Sequence, residues 1–393
     1  MCCETAQWTF CLHMIKMDEK IWKEAINVTK IFEPFTFPNG VTLANRIVMA
    51  PMTTNSSFVN GMLTSDELAY YKRRSKGLGA VITACAHVME NGRFAGSLSV
   101  ASDDMIPSLR KLADTIHEND TKAILQIFHV GRMGSRKTLK GIQPVSASAV
   151  APLRDNAEEP RALEEEEVTE LVQAFGDATR RAIEAGFDGI ELHGANTYLI
   201  QQFFSPHSNR RDDKWGGSLE KRMAFPLAVV DEAKKIITKH ATKPFILGYR
   251  ISPEELEEPG ITLADTKQLV EALKGKGLDY LHISLGRYAQ TSMRDKTNQT
   301  TILSELIAIT GDDLPLIGVG NIQTKEDISK VLAMGVSLAA MGRQLIVDPD
   351  SVEKIEKGAE LLTALSEETR PDLAIPDMMW QYMKSNKGWL PFE

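Results

Sequence analysis

The sequence predicts an α/β protein folded as a closed (β/α)8 barrel, the TIM barrel. Eight short apolar runs, typical of buried strands, alternate with segments of helical length over roughly 300 residues. A doubly wound open sheet is the alternative, but eight repeats favour closure. Before the first run, residues 35–43 alternate in apolar character around Asn39-Gly40, a dipeptide that readily adopts the positive φ angles of a tight hairpin. We expect this hairpin to plug the bottom of the barrel.

The eight predicted strands occupy residues 46–51, 80–88, 123–130, 189–195, 244–251, 278–285, 315–320 and 337–345. Helical periodicity lies between them, as in residues 165–185, where acidic side chains favour the positive end of the helix dipole. The acidic run Glu164–Glu167 therefore predicts a solvated helix start, and we expect no metal site. The longest interval, residues 131–164, is rich in Pro, Ser, Ala and Gly, which predicts an extended loop over the barrel mouth.

Composition sets limits on the class of protein and on its partners. The 393 residues are 43% hydrophobic and 25% charged, so the chain can bury a large core. A net charge of -8 repels polyphosphate, and no run of 18 apolar residues exists, so we expect neither nucleic acid nor membrane as a partner. Cys2, Cys3, Cys11 and Cys85 match neither a disulfide framework nor a cluster motif, which fits a reducing cytoplasm best.

The chain divides into three predicted parts. Residues 1–24 contain a short apolar patch, but they lack the basic start and small-residue cleavage site of a secretory signal. We expect them to form a disordered or loosely docked extension. Residues 25–360 form the barrel, and residues 361–393 form a C-terminal tail of undetermined role. The oligomeric state, monomer or homo-oligomer, is left open.

The candidate chemistry lies where the fourth predicted strand ends. His193, Asn196 and Tyr198 follow the apolar start of this strand, so they lie at the barrel mouth, where catalytic groups of such barrels gather. An imidazole and a carboxamide can hold an oxyanion, and a phenol can donate a proton. This set suits reduction next to a carbonyl group. The alternative is that the three side chains only satisfy loop backbone.

A second pattern extends the first along the chain. Residues 203–218 have the sequence FFSPHSNRRDDKWGGS and are followed by Glu220 and Arg222. With the motif around His193, they resemble the old yellow enzyme family of flavin-dependent ene-reductases, over about residues 32–349. The resemblance implies non-covalently bound FMN, reduced by NADH or NADPH, that reduces small activated alkenes: enones, enals, maleimides or nitroalkenes. It implies that His193 and Asn196 bind the activating oxygen of the substrate and that Tyr198 donates the proton to its α carbon.

The resemblance also assigns residues to the flavin. Thr53 would contact the flavin near its hydride-carrying N5 atom, and Gln126 would pair with the pyrimidine edge. Arg250 ends an apolar strand, where a charge needs a partner, and it would neutralise the reduced flavin. An ordinary salt bridge of Arg250 is the alternative. The full set of implied FMN-binding residues is Ala50, Pro51, Met52, Thr53, Ala84, Gln126, Arg250, Gly320, Gly342 and Arg343.

The last three of these residues lie at the ends of strands seven and eight, and the loops after these strands commonly bind phosphate in barrels. No stretch matches the three-glycine dinucleotide motif, since Gly318-Val319-Gly320 lacks the third glycine. A nicotinamide donor must therefore use the same pocket as the oxidant, in a ping-pong cycle. Cys85 is expected to be a buried core residue and His129 a satisfied barrel-end histidine.

Three alternatives stay open at this point. One is another FMN barrel of the dihydroorotate-dehydrogenase type, which the spacing of His193, Asn196 and Tyr198 argues against. The second is a reductase of nitroesters, nitro compounds or quinones, and the third is a flavin-binding sensor without catalysis. The tail also departs from some bacterial relatives, because its residues 380–393 contain no arginine that could reach a neighbouring subunit.

Overall fold

Eight parallel strands pair edge to edge into a closed barrel in the computed structural model, which describes residues 30–393. The strands are β1 (Ile47–Met49), β2 (Ala80–Ile82), β3 (Lys122–Phe128), β4 (Gly189–Gly194), β5 (Ile246–Ile251), β6 (Tyr280–Ile283), β7 (Leu316–Val319) and β8 (Leu338–Met341). Strand β4 pairs with β5 on one side and with β3 on the other, which closes the sheet. The predicted (β/α)8 fold is confirmed. The predicted extension 1–24 lies outside the described residues.

The helices follow the strands in alternation. They are α1 (Ser65–Arg74), α2 (Ile106–His117), α3 (Glu165–Glu184), α4 (Leu199–Phe204), α5 (Leu219–His240), α6 (Leu263–Lys274), α7 (Ile302–Thr310), α8 (Lys325–Ala333), α9 (Arg343–Val347), α10 (Ser351–Lys357) and α11 (Asp377–Ser385). Helix α3 begins as predicted, with Glu164 as its N-cap and Glu167 completing a capping box. Within residues 30–393, no helix is both long enough and apolar enough to cross a membrane.

The observed strand ends lie within two residues of the predicted ones, except in the second and the eighth predicted strands. The second run divides into β2 and a separate short strand, Ala86–His87, which pairs with the end of β3. The eighth run, predicted as a strand over 337–345, ends at Met341, and the prediction for its last residues is wrong. The apolar strand residues stop at Met341, and residues from Arg343 onward form helix α9. A short buried segment cannot be assigned to a strand or a helix from its periodicity alone, which is why the prediction ran on to residue 345.

The hairpin before β1 closes the bottom of the barrel, as predicted. Its strands are Phe35–Thr36 and Thr42–Leu43, joined through Gly40 at a φ of +92°. The side chain of Phe37 is 2% exposed, and its ring centroid lies 5.8 Å from that of Tyr280 on β6. The hairpin therefore supplies apolar side chains to the barrel interior.

The loop after β3 is long, as predicted, and it carries a small parallel pair of strands, Val145–Ser146 and Arg161–Ala162. The C-terminal tail packs against the barrel through an ordered structure of its own. Trp380 in α11 is fully buried, and its ring lies edge-on to Phe392, with 5.3 Å between centroids. The Leu365 backbone N–H donates to the Pro391 carbonyl at 2.9 Å, which ties the two ends of the tail together.

The plug yields a stability prediction. Phe37→Ala should lower the free energy of unfolding by about 3–5 kcal/mol, because a buried ring is lost and a cavity remains. Urea denaturation followed by tryptophan fluorescence measures this loss. The matched control is Phe58→Ala, since Phe58 is 58% exposed. A loss of unfolding free energy in Phe37→Ala as small as that in Phe58→Ala would show that the Phe37 ring contributes little to barrel stability.

Candidate functional site

Strand register brings the predicted polar residues together at the C-terminal end of the barrel. His193 on β4 pairs with Arg250 on β5, and Arg250 pairs with His282 on β6. Two residues earlier on β4, Glu191 pairs with Gln126 on β3. Successive side chains of a strand alternate between its faces, so residues two apart point to the same side. The five side chains therefore form two stacked polar layers inside the barrel.

The lower layer is centred on a buried carboxylate. Glu191 accepts hydrogen bonds from Gln126 Nε2 at 2.7 Å, from the Tyr280 hydroxyl at 3.0 Å and from His282 Nδ1 at 2.9 Å. Burial alone would raise the pKa of Glu191, but the hydrogen bond from His282 and the charge of Arg250 lower it below the usual value. Glu191 is therefore a satisfied anion that orients the groups around it.

Arg250 carries a positive charge into this interior without a carboxylate in direct contact. Its Nη2 atom donates to Ser284 Oγ at 3.2 Å, and within residues 30–393 it forms no salt bridge. Its buried Nε atom has no hydrogen-bond partner among the same residues. The ordinary salt bridge considered above is not found there. A buried donor without a partner is costly, which is consistent with a group that receives a ligand.

His193 is held as a neutral hydrogen-bond donor. The Ala195 backbone N–H donates to His193 Nδ1 at 3.3 Å, so the proton of the neutral ring is on Nε2. Burial, followed by the nearby charge of Arg250, lowers the pKa of His193 to about 3. The imidazole is thus uncharged at neutral pH and presents Nε2–H as its remaining polar group.

Asn196 lies on a turn whose backbone fixes the direction of its side chain. Asn196 and Thr197 both have left-handed backbones, with φ values of +55° and +63°. The Asn196 backbone N–H donates to Ser252 Oγ at 2.9 Å, while Asn196 Oδ1 accepts from Ser284 Oγ at 2.9 Å. With its oxygen engaged in this way, the amide presents its Nδ2 donor to the barrel mouth.

Buried amides clamp this left-handed turn from below. Gln201 Oε1 accepts from the Thr197 backbone N–H at 2.8 Å, and Gln202 Nε2 donates to the Thr197 carbonyl at 2.6 Å. Glu255 in turn accepts from Gln201 Nε2 at 2.7 Å. Non-glycine residues in the left-handed region carry a conformational cost, and these hydrogen bonds offset it. The turn is consequently pre-organised.

Tyr198 follows the turn and is surrounded by aromatic rings. Its ring centroid lies 5.0 Å from Phe128, 5.0 Å from His193 and 6.5 Å from Phe94. Burial raises the pKa of Tyr198 well above the usual value for a phenol. The hydroxyl therefore keeps its proton at neutral pH, which is the state that a proton donor needs.

Two neighbouring cavities open at this end of the barrel. The outer cavity, of about 980 Å³, is lined by the predicted residues Thr53, Asn196 and Tyr198. The inner cavity, of about 350 Å³, is lined by seven predicted residues: Ala50, Pro51, Met52, Arg250, Gly320, Gly342 and Arg343. Ten of the thirteen predicted site residues thus line one or the other of these two cavities.

Three predicted residues line neither cavity. His193 is only 3% exposed, and its ring centroid lies 5.0 Å from that of Tyr198, which lines the outer cavity. Gln126 lies in the lower layer described above. The backbone N–H of Ala84 donates to the Tyr71 hydroxyl at 2.7 Å, so this donor is already engaged within the protein.

The residues set aside as structural occupy structural positions. Cys85 is 4% exposed, and burial raises its pKa to about 12, which keeps the thiol protonated and unreactive. His129 is satisfied on both ring nitrogens, by Asn91 Oδ1 at 3.1 Å and by the Gly131 backbone N–H at 3.1 Å.

At the far end of the inner cavity, Arg343 is positioned by two contacts. Its Nη2 atom donates to Asn321 Oδ1 at 2.8 Å, and its Nη1 atom reaches the Trp389 carbonyl at 3.5 Å. Gly320 has a φ of +129°, and a Cβ atom there would lie 2.6 Å from the Arg287 carbonyl carbon. Only glycine fits this close approach of two backbones.

Several cavity residues were missed by sequence reasoning. The outer cavity is also lined by Phe94, Met133, Arg154, Met378, Gln381, Tyr382 and Ser385. Met133 and Arg154 belong to the long loop that was predicted to lie over the mouth. The last four belong to α11, and their spacing of three, four and seven residues was a signal for one helix face. No sequence pattern indicated that this face is directed at the site.

Comparisons with known proteins show which proteins this chain is similar to. The profile of the NADH:flavin oxidoreductase / NADH oxidase family matches residues 30–361. The chain is 46% identical to a probable NADH-dependent flavin oxidoreductase, YqiG, of Bacillus subtilis (strain 168), over 92% of this chain and 98% of that protein. It is 44% identical to NADH:acrylate oxidoreductase of Vibrio harveyi over 91% of this chain, which spans only 36% of that longer protein.

A solved structure shows the same likeness in three dimensions. The old yellow enzyme homologue from Zymomonas mobilis superimposes with a TM-score of 0.75 at 25% identity. The alignment covers 88% of this chain and 99% of that one.

The protonation state of His193 can be tested by NMR. In ¹⁵N-histidine-labelled protein, His193 should remain the neutral Nε2–H tautomer from pH 8 down to pH 5, because its pKa is about 3. Since the folded-state pKa lies below the unfolded value of about 6.5, its contribution to stability is complete above that pH and is lost as the pH falls toward 3. The signal is assigned by its absence in His193→Gln. Titration near pH 6.5 would contradict this assignment.

Proposed function

Because the chain belongs to the NADH:flavin oxidoreductase / NADH oxidase family, we propose that it reduces activated alkenes such as enones, enals, maleimides and nitroalkenes. It is an NAD(P)H-dependent oxidoreductase of the old yellow enzyme family, which binds FMN. The observation that carries the substrate proposal is that two neutral donors and one protonated phenol converge at the barrel mouth, where the amide and the phenol line the outer cavity and the imidazole ring lies 5.0 Å from the phenol ring. The convergent residues are His193, Asn196 and Tyr198.

The inner cavity fits the cofactor in its chemistry. Arg250 supplies a buried cation whose Nε atom has no partner among the described residues, and a flavin becomes more negative when reduced. At the other end, Arg343, Gly320 and Gly342 would hold the phosphate, as in other barrels of this type. Ala50, Pro51 and Met52 would form the wall beside the ring. When bound, FMN would supply the hydride-transfer chemistry that links oxidation of NADH or NADPH to reduction of the alkene.

Thr53, Ala84 and Gln126 complete the proposed flavin set from different positions. Thr53 lines the outer cavity, where its hydroxyl would contact the ring near N5. Gln126 donates Nε2 to Glu191, which leaves its Oε1 atom as an acceptor for the pyrimidine edge. At Ala84 the engaged N–H cannot serve the flavin, so this residue would contribute only its small side chain.

His193 and Asn196 would bind the activating oxygen of the substrate. Each presents one N–H donor whose direction is fixed from behind, by Ala195 for the imidazole and by Ser284 for the amide. Two pre-oriented donors stabilise negative charge that develops on the oxygen as hydride arrives, without a reorganisation cost. They also draw electrons from the alkene and so activate its β carbon.

Tyr198 would then protonate the α carbon. Its raised pKa ensures that the phenol is protonated when substrate binds, and its ring is held by Phe128 and His193. Because one cavity serves both the nicotinamide donor and the alkene, the two bind in turn and the kinetics are ping-pong.

One test of the proposed function concerns retention of the FMN cofactor. The protein should purify yellow with FMN, and Arg343→Ala should weaken FMN binding roughly 10- to 100-fold, since hydrogen bonds to a charged group contribute about 1.5–3 kcal/mol. Fluorescence titration of the apoprotein with FMN gives the dissociation constant. The matched control is Arg161→Ala, because Arg161 pairs with Glu167 on the surface. Unchanged retention in Arg343→Ala would exclude the phosphate assignment.

Another test separates the two half-reactions, flavin reduction by the nicotinamide and alkene reduction by the flavin. Tyr198→Phe should slow enone reduction by about 10²–10⁴-fold, because it removes the proton donor. Flavin reduction by the nicotinamide should stay within a few-fold of wild type. Stopped-flow traces of the flavin absorbance measure both steps with cyclohexenone as the oxidant.

The control is Tyr70→Phe, because the buried Tyr70 hydroxyl has no hydrogen-bond partner among the described residues. It should leave both steps unchanged. Equal slowing of the two half-reactions by Tyr198→Phe would make Tyr198 a structural wall of the pocket instead of a proton donor.

A further inference from the structure

The C-terminal helix α11 turns one complete face toward the outer cavity. Met378, Gln381, Tyr382 and Ser385 all line this cavity, and their spacing of i, i+3, i+4 and i+7 places them on a single stripe of the helix. We call these four residues the tail stripe. An adjacent stripe that includes Trp380 packs into the protein core. The helix therefore separates the core from the cavity and forms one wall of the cavity.

Two residues of the tail stripe are large, apolar and exposed. Met378 is 64% exposed and Tyr382 is 45% exposed, although both face a cavity that also contains Tyr198. Exposed apolar side chains that line a concave site commonly contact a ligand. From other segments, Phe94 and Met133 add further apolar surface to the same cavity.

The helix is held firmly enough to serve as a binding wall. Trp380 Nε1 donates to Glu367 Oε1 at 3.4 Å, and Lys384 Nζ pairs with the same carboxylate at 2.6 Å. The ring of Tyr382 lies edge-on to Trp389, with 6.2 Å between centroids. Trp389 lines the inner cavity, so the tail contributes to both cavities.

The size of the cavity bears on the ligand. Its volume of about 980 Å³ lies at the upper end of the range for small-molecule pockets, about 300–1,000 Å³. The proposed flavin ring beside Thr53 would take part of this volume, and a one-ring enone bound to His193 and Asn196 would take a further part of it. A substrate with an apolar extension would also reach the tail stripe on the opposite wall.

We propose that the tail stripe is the substrate-selectivity wall of this enzyme and that its preferred acceptors carry an aromatic or similarly apolar extension beside the activated alkene. The inference rests on the proposed ene-reductase function and adds the substrate class. Tyr382 and Met378 would pack against the extension. His193, Asn196 and Tyr198 would act on the alkene, whatever the extension is.

The experiment compares maleimide with N-phenylmaleimide, which share the reacting group and differ by one ring. In Tyr382→Ala, kcat/KM for N-phenylmaleimide should fall about tenfold, mainly through KM, since a lost apolar contact in a pocket typically costs a factor of 10 or more. The value for maleimide should stay within about twofold. Met378→Ala should act in the same direction, and Tyr382→Phe, which keeps the ring, should retain wild-type selectivity.

The control is Lys387→Ala, an exposed position of the tail outside the stripe, which should change neither substrate. Flavin content and the rate of flavin reduction by NADH should be those of wild type in every variant. Equal losses for both maleimides would mean that Tyr382 is structural. A gain for N-phenylmaleimide would make α11 a steric barrier, and a slowed NADH step alone would make it a wall for the donor.

Each of those three outcomes overturns the selectivity wall while the ene-reductase function stands. A wild-type enzyme that oxidises NADH but reduces neither maleimide would instead overturn the proposed function, and the wall with it.

Discussion

The register between parallel strands is the constraint on which the site depends. Because β4, β5 and β6 pair in parallel, His193, Arg250 and His282 stand side by side at one level of the barrel. The level below holds Glu191. To donate its hydrogen bond to Glu191, the side chain of Tyr280 on β6 must pass close to the backbone of β5. Glycine at position 248 provides the space for it, because a Cβ atom there would lie 2.1 Å from the ring of Tyr280. A shift of any one of these strands by one residue would turn its side chains in this set away from the interior.

Electrostatic interactions couple the two stacked polar layers. Glu191 balances the charge of Arg250 from below, while Arg250 helps to keep His193 neutral. A chain of hydrogen bonds continues outward, from Arg250 to Ser284 and from Ser284 to Asn196. The residue proposed to balance flavin charge is therefore linked, through one hydroxyl, to a residue proposed to hold the substrate oxygen. In a low-dielectric interior such links are stronger than at the surface.

The outer wall of the site has a different origin from its floor. The floor is built from strand ends, whereas the wall consists of the loop after β3 and of α11, which lie far apart in the chain. Loops and tails can change without altering the barrel, so chemistry and selectivity occupy separable parts of the molecule. With this separation, substitutions at Tyr382 could alter the proposed substrate selectivity without displacing His193 and Tyr198, the residues proposed to act on the alkene.

The barrel was predictable from the amino-acid sequence, because eight buried apolar runs have few other ways to satisfy their backbone. The same reasoning predicted that His193, Asn196 and Tyr198 lie at one strand end. Sequence reasoning failed at residues 343–345, because a short, mostly buried segment after an apolar run can continue a strand or begin a helix, and its length and periodicity do not distinguish the two. The tautomer of His193 and the position of the tail stripe could be read only from the three-dimensional structure. Both depend on contacts between residues distant in the chain, and local periodicity carries no information about which surface a helix face will meet.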